Sequence, residues 1–328
     1  MSVLLKYNQR IPKTGGIKMN NSHIYDMIII GGGPAGFTAA IYGARAGLDV
    51  LVLERATVGG QMSISGRIEN YPGYGEGIDG FSLASKIQED AHRFGASTEY
   101  TSVHSVELSG RIKRVYTDDG EKLCRTLLIA TGADPRTLGL EGEERLMGAG
   151  VHYCAHCDGR FYKDGVVAVV GGGNSAVSSA LYLSGIAKKV YLIHRSEFRA
   201  DRILMDALEK RSNVRFIKGA TVEELIADDR LRGVKLAGAK DVTELSVDAL
   251  FVSIGRIPAT GFLNGALATE GGYIVADEST RTSVEGVFAV GDVRTKQLRQ
   301  IVTAVADGAV AAENARGYIS LLVTKSLK

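Results

Sequence analysis

The sequence predicts an α/β fold, because one unit of strand, glycine-rich turn, helix and second strand occurs twice along the chain. The offset from the first glycine of the turn to the end of the second strand is 23 residues in both copies, from 31 to 54 and from 171 to 194. This matching register indicates an internal duplication. The turns read GGGPAG and GGGNSA, and such turns between strand and helix are typical of Rossmann-like dinucleotide-binding domains.

Length and composition are compatible with two such domains. The length of 328 residues suits two domains of ordinary size, and 41 glycines against 5 prolines favour many tight backbone approaches. The formal net charge of +2 gives no reason to expect nucleic acid or an anionic membrane as a partner. No apolar run approaches the roughly 18 residues of a membrane span.

The first 23 residues are expected to form a poorly ordered extension, because they precede the first predicted strand. Their apolar stretch is too short for a signal peptide, so we expect a cytoplasmic protein. Met19 could serve as an alternative start.

The first unit has its four elements predicted over residues 25–30, 31–36, 37–46 and 49–53. The glycines permit the tight turn and let the backbone approach a pyrophosphate, while the helix N-terminus offers free N–H groups. Glu54 follows the second strand, at the position that binds a ribose 2′-hydroxyl. Because a carboxylate there repels a 2′-phosphate, the first site suits FAD or NAD.

The second unit has the same four elements predicted over residues 166–170, 171–176, 177–184 and 189–193. Its second strand is followed by His194 and Arg195, with Arg199 four residues further on. A guanidinium pairs bidentately with phosphate, so this site favours NADPH. The alternative is that both arginines are solvated charges at the start of a helix.

A β-rich segment follows each unit and returns to a buried strand, over residues 103–132 and 221–255. The last segment, with GVFAVGD at 286–292 and a helix-like stretch at 301–318, matches neither unit and is expected to complete the first. The predicted domains are residues 24–132 with 259–328 and, inserted between them, residues 136–256. Hinges are predicted near 133–138 and 255–261, where Pro and Gly connect buried strands to the next unit.

A C-x-x-C pair lies just ahead of the second glycine turn and therefore belongs to the second unit. Cys154 and Cys157 can close a small reversible disulfide, and Asp158 can shuttle a proton as dithiol and disulfide interconvert. Cys124, just ahead of a buried strand, is expected to be a core residue.

Two other interpretations of the pair are open. Zinc is one, since His152, Cys154, His156 and Cys157 include plausible ligand types, but structural zinc normally takes ligands from two separated clusters and the sequence has no second one. A purely structural disulfide is the other.

Eight short motifs follow one another in a fixed order between residues 24 and 323. They are GGGPAG at 31–36, GGQM at 59–62, ENYPG at 69–73, ATG at 130–132, CAHCDG at 154–159, GGGNSA at 171–176, GVFAVGD at 286–292 and RQIVTAVADG at 299–308. Together they resemble the low-molecular-weight, prokaryotic-type thioredoxin reductases. The cysteine pair between the two glycine turns is the most specific feature. The glutathione reductase and lipoamide dehydrogenase branch has its pair near the N-terminus.

The resemblance implies a homodimeric flavoprotein that passes a hydride from NADPH to FAD, reduces the Cys154–Cys157 disulfide and then exchanges with thioredoxin. It implies an NADPH domain inserted into the FAD domain and rotating against it. The implied catalytic residues are Cys154, Cys157 and Asp158, with Cys157 against the flavin. The implied FAD residues are Gly31, Gly33, Pro34, Ala35, Gly36, Glu54, Gly60, Gln61, Asn70, Thr131, Gly132, Gly291, Asp292, Arg299 and Gln300. The implied NADPH residues are Gly171, Gly173, Asn174, Ser175, Ala176, His194, Arg195 and Arg199.

One departure from the family motif concerns the electron donor. The usual H-R-R-x-x-x-R reads H-R-S-E-F-R here, one arginine and one residue short. Alternatives are therefore a reductase of the same fold driven by NADH, ferredoxin or reduced flavin. An NAD(P)H oxidase or peroxide-system reductase would usually carry an extra N-terminal module, for which 23 residues are too few. A non-catalytic redox sensor is the remaining alternative.

Overall fold

The structure is a computed structural model that describes residues 23–63, 67–239 and 242–326. The predicted N-terminal extension and the alternative start at Met19 therefore lie outside the described residues, His23 excepted. Among the helices of these ranges, none has the length and apolarity needed to cross a membrane.

The helices and strands follow one another in three stretches of chain. The first comprises β1 (Ile24–Ile30), α1 (Pro34–Arg45), β2 (Val50–Glu54), β3 (Arg67–Ile68), β4 (Ile78–Asp79), α2 (Gly80–Arg93), β5 (Ser97–Tyr100), β6 (Val103–Glu107), β7 (Lys113–Thr117), β8 (Gly120–Ile129) and β9 (Ala133–Pro135). The second comprises β10 (Val151–His152), α3 (Ala155–Asp158), β11 (Val166–Val170), α4 (Asn174–Ser184), β12 (Lys189–His194), α5 (Arg202–Glu209), β13 (Val214–Lys218), β14 (Thr221–Ala227), β15 (Leu231–Ala237), β16 (Glu244–Ser246), β17 (Ala249–Val252) and β18 (Arg256–Pro258). The third comprises β19 (Thr269–Glu270), β20 (Tyr273–Ile274), β21 (Val287–Ala289) and α6 (Ile301–Ser326).

The first sheet has a parallel core in the order β5-β2-β1-β8. The long strand β8 has two neighbours along its other edge: antiparallel β7 beside its first half, and parallel β21 beside its last residues. The chain thus returns to the first sheet after passing through the second, as expected from the sequence. Side chains alternate between two hydrophobic cores, with Met27 and Ile29 under helices α1, α2 and α6, and Ile28 and Ile30 under the β6–β7 layer.

The second sheet is entirely parallel, in the order β10-β17-β11-β12-β13. It too is buried on both faces. Val167 and Val169 pack towards helices α4 and α5, while Ala168 and Val170 pack towards the antiparallel sheet β14–β15–β16. Two α/β units of three layers (ββα) confirm the predicted fold class.

Both helices that follow the glycine turns begin three residues earlier than predicted. Gly33 and Gly173 are extended N-cap residues, so α1 begins at Pro34 and α4 at Asn174. Proline is favoured at the first helical position, because its fixed φ suits the helix and the N–H that it lacks would have no partner there. The last helix is longer than the predicted 301–318 and ends at Ser326.

The two connectors between the sheets pair with each other. Strands β9 and β18 are antiparallel, with Ala133 opposite Pro258 and Pro135 opposite Arg256. Backbone hydrogen bonds continue beyond this ribbon, from Arg136 N to Gly255 O at 3.0 Å. The sequence indicated two hinge segments but not that they lie side by side.

Candidate active site

The first glycine turn is shaped by close backbone approaches. A Cβ on Gly31 would lie 2.4 Å from Ala130 O, and one on Gly36 would lie 2.0 Å from Gly31 O. Above Gly33, in contrast, nothing lies within 4 Å of a built Cβ, and no side chain caps the first turn of α1. The turn therefore leaves a cradle with free N–H groups where a pyrophosphate fits.

Glu54 lies beside this cradle. Its Oε2 accepts a hydrogen bond from Gly32 N at 2.7 Å, and its Oε1 accepts one from Ala56 N at 2.9 Å. These two bonds hold the carboxylate at the carboxyl end of β2, where ligands bind in open α/β sheets.

Several predicted FAD residues meet at the base of the connectors. Gln61 donates to Ala133 O, and its Oε1 accepts from Arg256 at 2.6 Å. Thr131 Oγ1 donates to Ala259 O at 2.8 Å. Gly60 and Gly132, also in the predicted set, have left-handed φ values of 52° and 72°. Sequence reasoning missed Arg256, because its link to Gln61 spans 195 residues.

Asp292 lies half-buried after β21, among cations. Burial raises the pKa of its carboxyl, while Arg256, Arg299 and Lys296 act in the opposite direction. Such a carboxylate is stabilised by a hydroxyl donor, which is what the ribityl chain of FAD supplies.

A buried ion-pair network fixes the turn that carries Asp292. Asp307 Oδ2 accepts a hydrogen bond at 2.8 Å from the backbone N–H of Gly291, the residue before Asp292. The same carboxylate forms ion pairs with Arg294 and Lys296, each at 2.8 Å. Burial acts to raise the pKa of Asp307, but the hydrogen bonds from Arg294 and Lys296 outweigh it and lower that pKa.

The predicted isoalloxazine residues lie just ahead of α6. The Arg299 guanidinium lies 4.2 Å above the Tyr273 ring, and Gln300 Oε1 accepts from Asn70 Nδ2 at 3.1 Å. The remaining predicted members of the FAD set, Pro34 and Ala35, open helix α1.

The second glycine turn repeats the geometry of the first. A Cβ on Gly171 would lie 2.3 Å from Ser253 O, while Gly173 is open and α4 has no side-chain cap. The middle glycine has another neighbour here, because a Cβ on Gly172 would lie 2.3 Å from the His194 ring. That buried imidazole has a lowered pKa, because of its burial and then because of Arg199 and Arg195.

The predicted 2′-phosphate residues flank this turn. Arg195 and Arg199 are exposed, and Arg199 N donates to Gly172 O at 2.7 Å, which brings the basic loop against the turn. Asn174 exchanges two 2.8 Å hydrogen bonds with Asp201. Ser175 is exposed and Ala176 is buried. The arrangement fits a dinucleotide with an additional phosphate.

The cysteine pair forms the predicted disulfide, Cys154–Cys157. Cys154 caps the short helix α3, and its Sγ accepts a hydrogen bond from Cys157 N at 3.2 Å. Cys124 is fully buried, and burial raises the pKa of its thiol to about 12, so it is an inert core residue as predicted. No three His, Cys, Asp or Glu side chains within the described ranges form a set that could hold a metal ion.

The disulfide segment faces the first unit across a cleft of about 360 Å³. The cleft is lined by His156 and Tyr182 from the second unit and by Asn70, Leu298, Gln300, Ile301 and Val302 from the first. Beside it Arg160 pairs with Glu69 at 3.6 Å, which links the two units directly. The redox helix therefore lies opposite Asn70 and Gln300, two residues of the predicted flavin site.

Two polar networks around the disulfide were not found from the sequence. Glu143 is buried and accepts hydrogen bonds from Leu138 N, Gly139 N and the Tyr153 hydroxyl, which ties the first connector to the residue before Cys154. Asp158, predicted as the proton carrier, has its Oδ2 3.2 Å from His152 Nδ1. The sequence pointed to His152 only as a zinc ligand.

Two Rossmann-like units joined by one ribbon, with a disulfide on the second facing the first, define the class of pyridine nucleotide-disulphide oxidoreductases. The sequence profile described by that name matches residues 25–308. A thioredoxin reductase of Listeria monocytogenes is 46% identical over 304 residues, 91% of this chain and 95% of the relative. One from Vibrio cholerae is 41% identical over 313 residues, 92% and 98% of the two chains. The chain belongs to the thioredoxin reductase family.

Two solved structures show the same fold. Thioredoxin reductase from Streptococcus pyogenes superimposes with a TM-score of 0.84 at 42% identity, over 90% of this chain and 98% of that one. The Lactococcus lactis enzyme in its FR conformation gives 0.64 at 41% identity, over 90% and 99%. Identity and coverage are nearly equal in the two comparisons, so sequence distance does not account for the lower score.

Proposed function

We propose that this chain is a thioredoxin-disulfide reductase that takes electrons from NADPH through bound FAD. The observation that carries the proposal is the position of the Cys154–Cys157 disulfide, on the second unit but facing Asn70 and Gln300 of the first. When bound, FAD supplies the step that accepts a hydride from NADPH and delivers two electrons to this disulfide.

The role of the chain's own residues is to bind FAD and to orient it. The open cradle above Gly33 would hold the pyrophosphate of FAD, Glu54 would accept from its ribose hydroxyls and Asp292 would accept from the ribityl chain. Arg299 and Gln300, fixed by Tyr273 and Asn70, would contact the isoalloxazine.

NADPH is proposed over NADH because of the charge beside the second turn. Arg195 and Arg199 are exposed and free to pair with a 2′-phosphate. The acidic residue in the same loop, Glu197, is already paired with Lys218 at 2.8 Å, so its charge is compensated.

The reduced cysteines act by thiol–disulfide exchange. One Cys thiol gives its proton to Asp158, and the thiolate attacks the disulfide of the partner, forming a mixed disulfide and releasing one partner thiolate. Asp158 returns this proton to the partner sulfur that has departed. The second cysteine then gives its own proton to Asp158, displaces the other partner sulfur and restores Cys154–Cys157, and that departing sulfur takes the second proton from Asp158.

Exchange with a protein requires a second arrangement of the two units. In the arrangement described above both cysteines are only partly exposed and the helix between them borders the cleft, so the first unit restricts the approach of a partner protein. Rotation about the β9–β18 ribbon would expose the disulfide, and the two TM-scores of 0.84 and 0.64 at nearly equal identity support two arrangements in the family.

Cross-linking tests the rotation. Glu69→Cys combined with Arg160→Cys, joined by a short non-reducible linker in the oxidised protein, should keep flavin bound and lose thioredoxin reduction. Each single-cysteine variant, treated with the same reagent, is the matched control and should keep its activity. Full turnover of the cross-linked protein would refute the rotation.

Anaerobic titration tests the function itself. NADPH should bleach the flavin absorbance of the purified protein, and oxidised thioredoxin should restore it. Cys154→Ser and Cys157→Ser should each bleach but fail to pass electrons to thioredoxin. A folded protein without flavin, or a double variant that still reduces thioredoxin, would contradict the proposal.

A different electron donor is the second candidate, favoured by the shortened H-R-S-E-F-R loop. A ferredoxin-flavin thioredoxin reductase from Clostridium acetobutylicum is a structural neighbour at 30% identity, with a TM-score of 0.50. The same titration with NADH or reduced ferredoxin in place of NADPH identifies the electron donor, since the true donor bleaches the flavin fastest.

Assembly and location complete the proposal. We expect a homodimer, supported by exposed apolar side chains on neighbouring helices, Tyr42 on α1 and Val310 on α6. We expect it in the cytoplasm, where thiols are kept reduced. Sedimentation velocity and cell fractionation test these two expectations.

A further inference from the structure

Lys218 ends strand β13 at the carboxyl edge of the second sheet. In the parallel pairing of β12 with β13 it lies opposite His194, whose ring lies against Gly172 of the second glycine turn. Phe216 and Leu192, two residues earlier in the two strands, both pack in the hydrophobic core under helix α4. Because side chains alternate along a strand, Lys218 and His194 project from that same face of the sheet.

The ammonium group of Lys218 contacts the loop that follows β12. Its Nζ donates to Glu197 Oε2 at 2.8 Å and lies 5.8 Å from the centre of the Phe198 ring. That ring in turn packs on His194 and Phe216, with centroids 5.7 Å and 5.6 Å apart. An aromatic cluster thus holds the loop 195–199 against the ends of both strands, with the Lys218 cation beside it.

The loop alone is a weak partner for an additional phosphate. It offers the exposed guanidiniums of Arg195 and Arg199, but between them lies Glu197, an acid whose side chain is 80% exposed. Burial, followed by the charges of Arg199 and Arg195, lowers the pKa of His194, so the neighbouring imidazole adds no positive charge at pH 7. A third cation is available only from the next strand, at Lys218.

The ion pair between Lys218 and Glu197 is readily exchanged. The Lys218 side chain is 52% exposed, and ion pairs between exposed groups are weak. A phosphate monoester carries a charge of about −1.5 to −2 at pH 7, so it attracts an ammonium group more strongly than a single carboxylate does. A 2′-phosphate bound at this strand end therefore competes successfully for Lys218.

We propose that Lys218 is a specificity-determining residue for NADPH, whose ammonium group moves from Glu197 to the 2′-phosphate when the cofactor binds. The released Glu197 carboxylate turns into solvent, and Lys218 joins Arg195 and Arg199 around the phosphate at the end of the second strand. NADH lacks this phosphate and leaves the ion pair intact. The inference rests on the proposed use of NADPH by this chain.

A simpler role for Lys218 is to compensate the charge of Glu197 without touching the cofactor. The two roles differ once Glu197 is replaced. In Glu197→Gln no acid remains to be compensated, so removing Lys218 weakens cofactor binding only if its ammonium group contacts the phosphate. A double-mutant cycle of Lys218→Met and Glu197→Gln therefore separates the two roles.

The first measurement is calorimetric titration with 2′,5′-ADP and with 5′-AMP, its counterpart without the 2′-phosphate. It needs neither flavin nor turnover. Lys218→Met should weaken 2′,5′-ADP binding about tenfold, because a charge-assisted hydrogen bond is lost, and should leave 5′-AMP binding unchanged. Glu197→Gln should tighten 2′,5′-ADP binding about threefold, because the competing carboxylate is gone. In the Glu197→Gln background, Lys218→Met should again weaken it about tenfold.

Two further variants test whether the position of the charge matters. Lys189→Met is the matched control, because Lys189 also lies over an aromatic ring, 4.8 Å from the centre of Tyr191, but begins β12 at the opposite edge of the sheet. It should bind 2′,5′-ADP as wild type does. Lys218→Arg keeps a cation at the strand end and should retain most of the affinity.

The second measurement is steady-state reduction of thioredoxin with each nicotinamide. In Lys218→Met, kcat/KM for NADPH should fall about tenfold, while kcat/KM for NADH stays unchanged. Flavin content and thermal unfolding should match wild type, because Lys218 is half exposed.

Equal affinities of wild type and Lys218→Met for 2′,5′-ADP would overturn the role of Lys218 alone. A loss that disappears in the Glu197→Gln background, or an equal loss in Lys189→Met, would also overturn it, since neither is expected of a direct contact. A wild-type protein that binds 2′,5′-ADP no better than 5′-AMP would defeat the proposed use of NADPH and the role of Lys218 together.

Discussion

The two dinucleotide-binding units share one sheet order but obtain their fifth strand differently. The parallel strands run β5-β2-β1-β8-β21 in the first unit and β13-β12-β11-β17-β10 in the second. The fifth strand of the first unit comes from the end of the chain and is followed by Gly291 and Asp292. That of the second unit comes from ahead of the glycine turn and is followed by Cys154.

Equivalent positions therefore carry different chemistry. The carboxyl end of the fifth strand presents a carboxylate for the proposed flavin site in one unit and the redox disulfide in the other. The common scaffold fixes where reactive groups are placed, and the residues at the strand ends decide what they do.

The glycine turns show the same contrast at atomic scale. The sixth position is Gly36 in the first turn, where a Cβ would lie 2.0 Å from Gly31 O, but Ala176 in the second. The second strand of the first unit ends at Glu54, which accepts a hydrogen bond from Gly32 N. The second strand of the second unit ends at His194, whose ring lies against Gly172. Four predictions test these differences.

The largest effect is expected from exchanging the sixth residue of each turn. Gly36→Ala puts a methyl group into backbone, so it should destabilise the first unit by more than about 3 kcal/mol and abolish flavin binding. Ala176→Gly, the matched variant, should cost only about 1 kcal/mol. Flavin absorbance measures the flavin content of each variant, and thermal unfolding measures its stability. Equal flavin content in the two variants would show that the two turns do not differ in this way.

The second largest effect is expected on the preference of the second site for NADPH over NADH. Arg199→Ala should raise KM for NADPH roughly tenfold or more, because a charge-assisted hydrogen bond is lost, and should change KM for NADH far less. The mirror variant Glu54→Gln should weaken FAD retention and leave KM for NADPH as it was. Equal changes for NADPH and NADH would show that Arg199 does not contact the 2′-phosphate.

A pH effect should distinguish the two strand ends. Burial lowers the pKa of His194, so the unfolded chain binds a proton more readily than the folded protein. The free energy of unfolding therefore falls as the pH drops below about 6.5, the ordinary value for histidine. Thermal unfolding at pH 7.5 and 5.5 should show this loss, and His194→Gln should reduce it. An identical pH dependence in the variant would remove His194 as the cause.

The smallest effect concerns the contact between the units. The Arg160–Glu69 pair is largely exposed, so it contributes less than about 1 kcal/mol. Arg160→Ala should change thioredoxin turnover by less than about fivefold and reduce its dependence on salt. Turnover measured at low and high salt tests this, and a salt response equal to that of wild type would show that the pair does not bias the arrangement.

Patterns that extend over a few residues were sufficient to predict the elements whose structure depends on neighbouring residues. Both glycine turns, their flanking strands and the disulfide were predicted, because glycine geometry, apolar runs and cysteine spacing are readable over a few residues. The boundaries of α1 and α4 were three residues late, since the proline and asparagine of the turns were assigned to loops rather than to helix starts.

Long-range partnerships could not be predicted in this way. The hydrogen bond from Arg256 to Gln61 and the pairing of β9 with β18 join residues more than a hundred positions apart. His152 and Asp158 are close in sequence, yet their contact depends on how β10 and α3 are packed against Phe251. No periodicity encodes such contacts.

The ribbon of β9 and β18 constrains how this architecture can vary. A two-stranded ribbon twists readily about its long axis, since neighbouring strands already differ in direction by about 20–25°. Torsion distributes over all the backbone angles of Ala133–Pro135 and Arg256–Pro258, so no single residue has to serve as a pivot. Lengthening one segment alone would shift its register against the other. Insertions or deletions in these two stretches are therefore tolerated only when both change together.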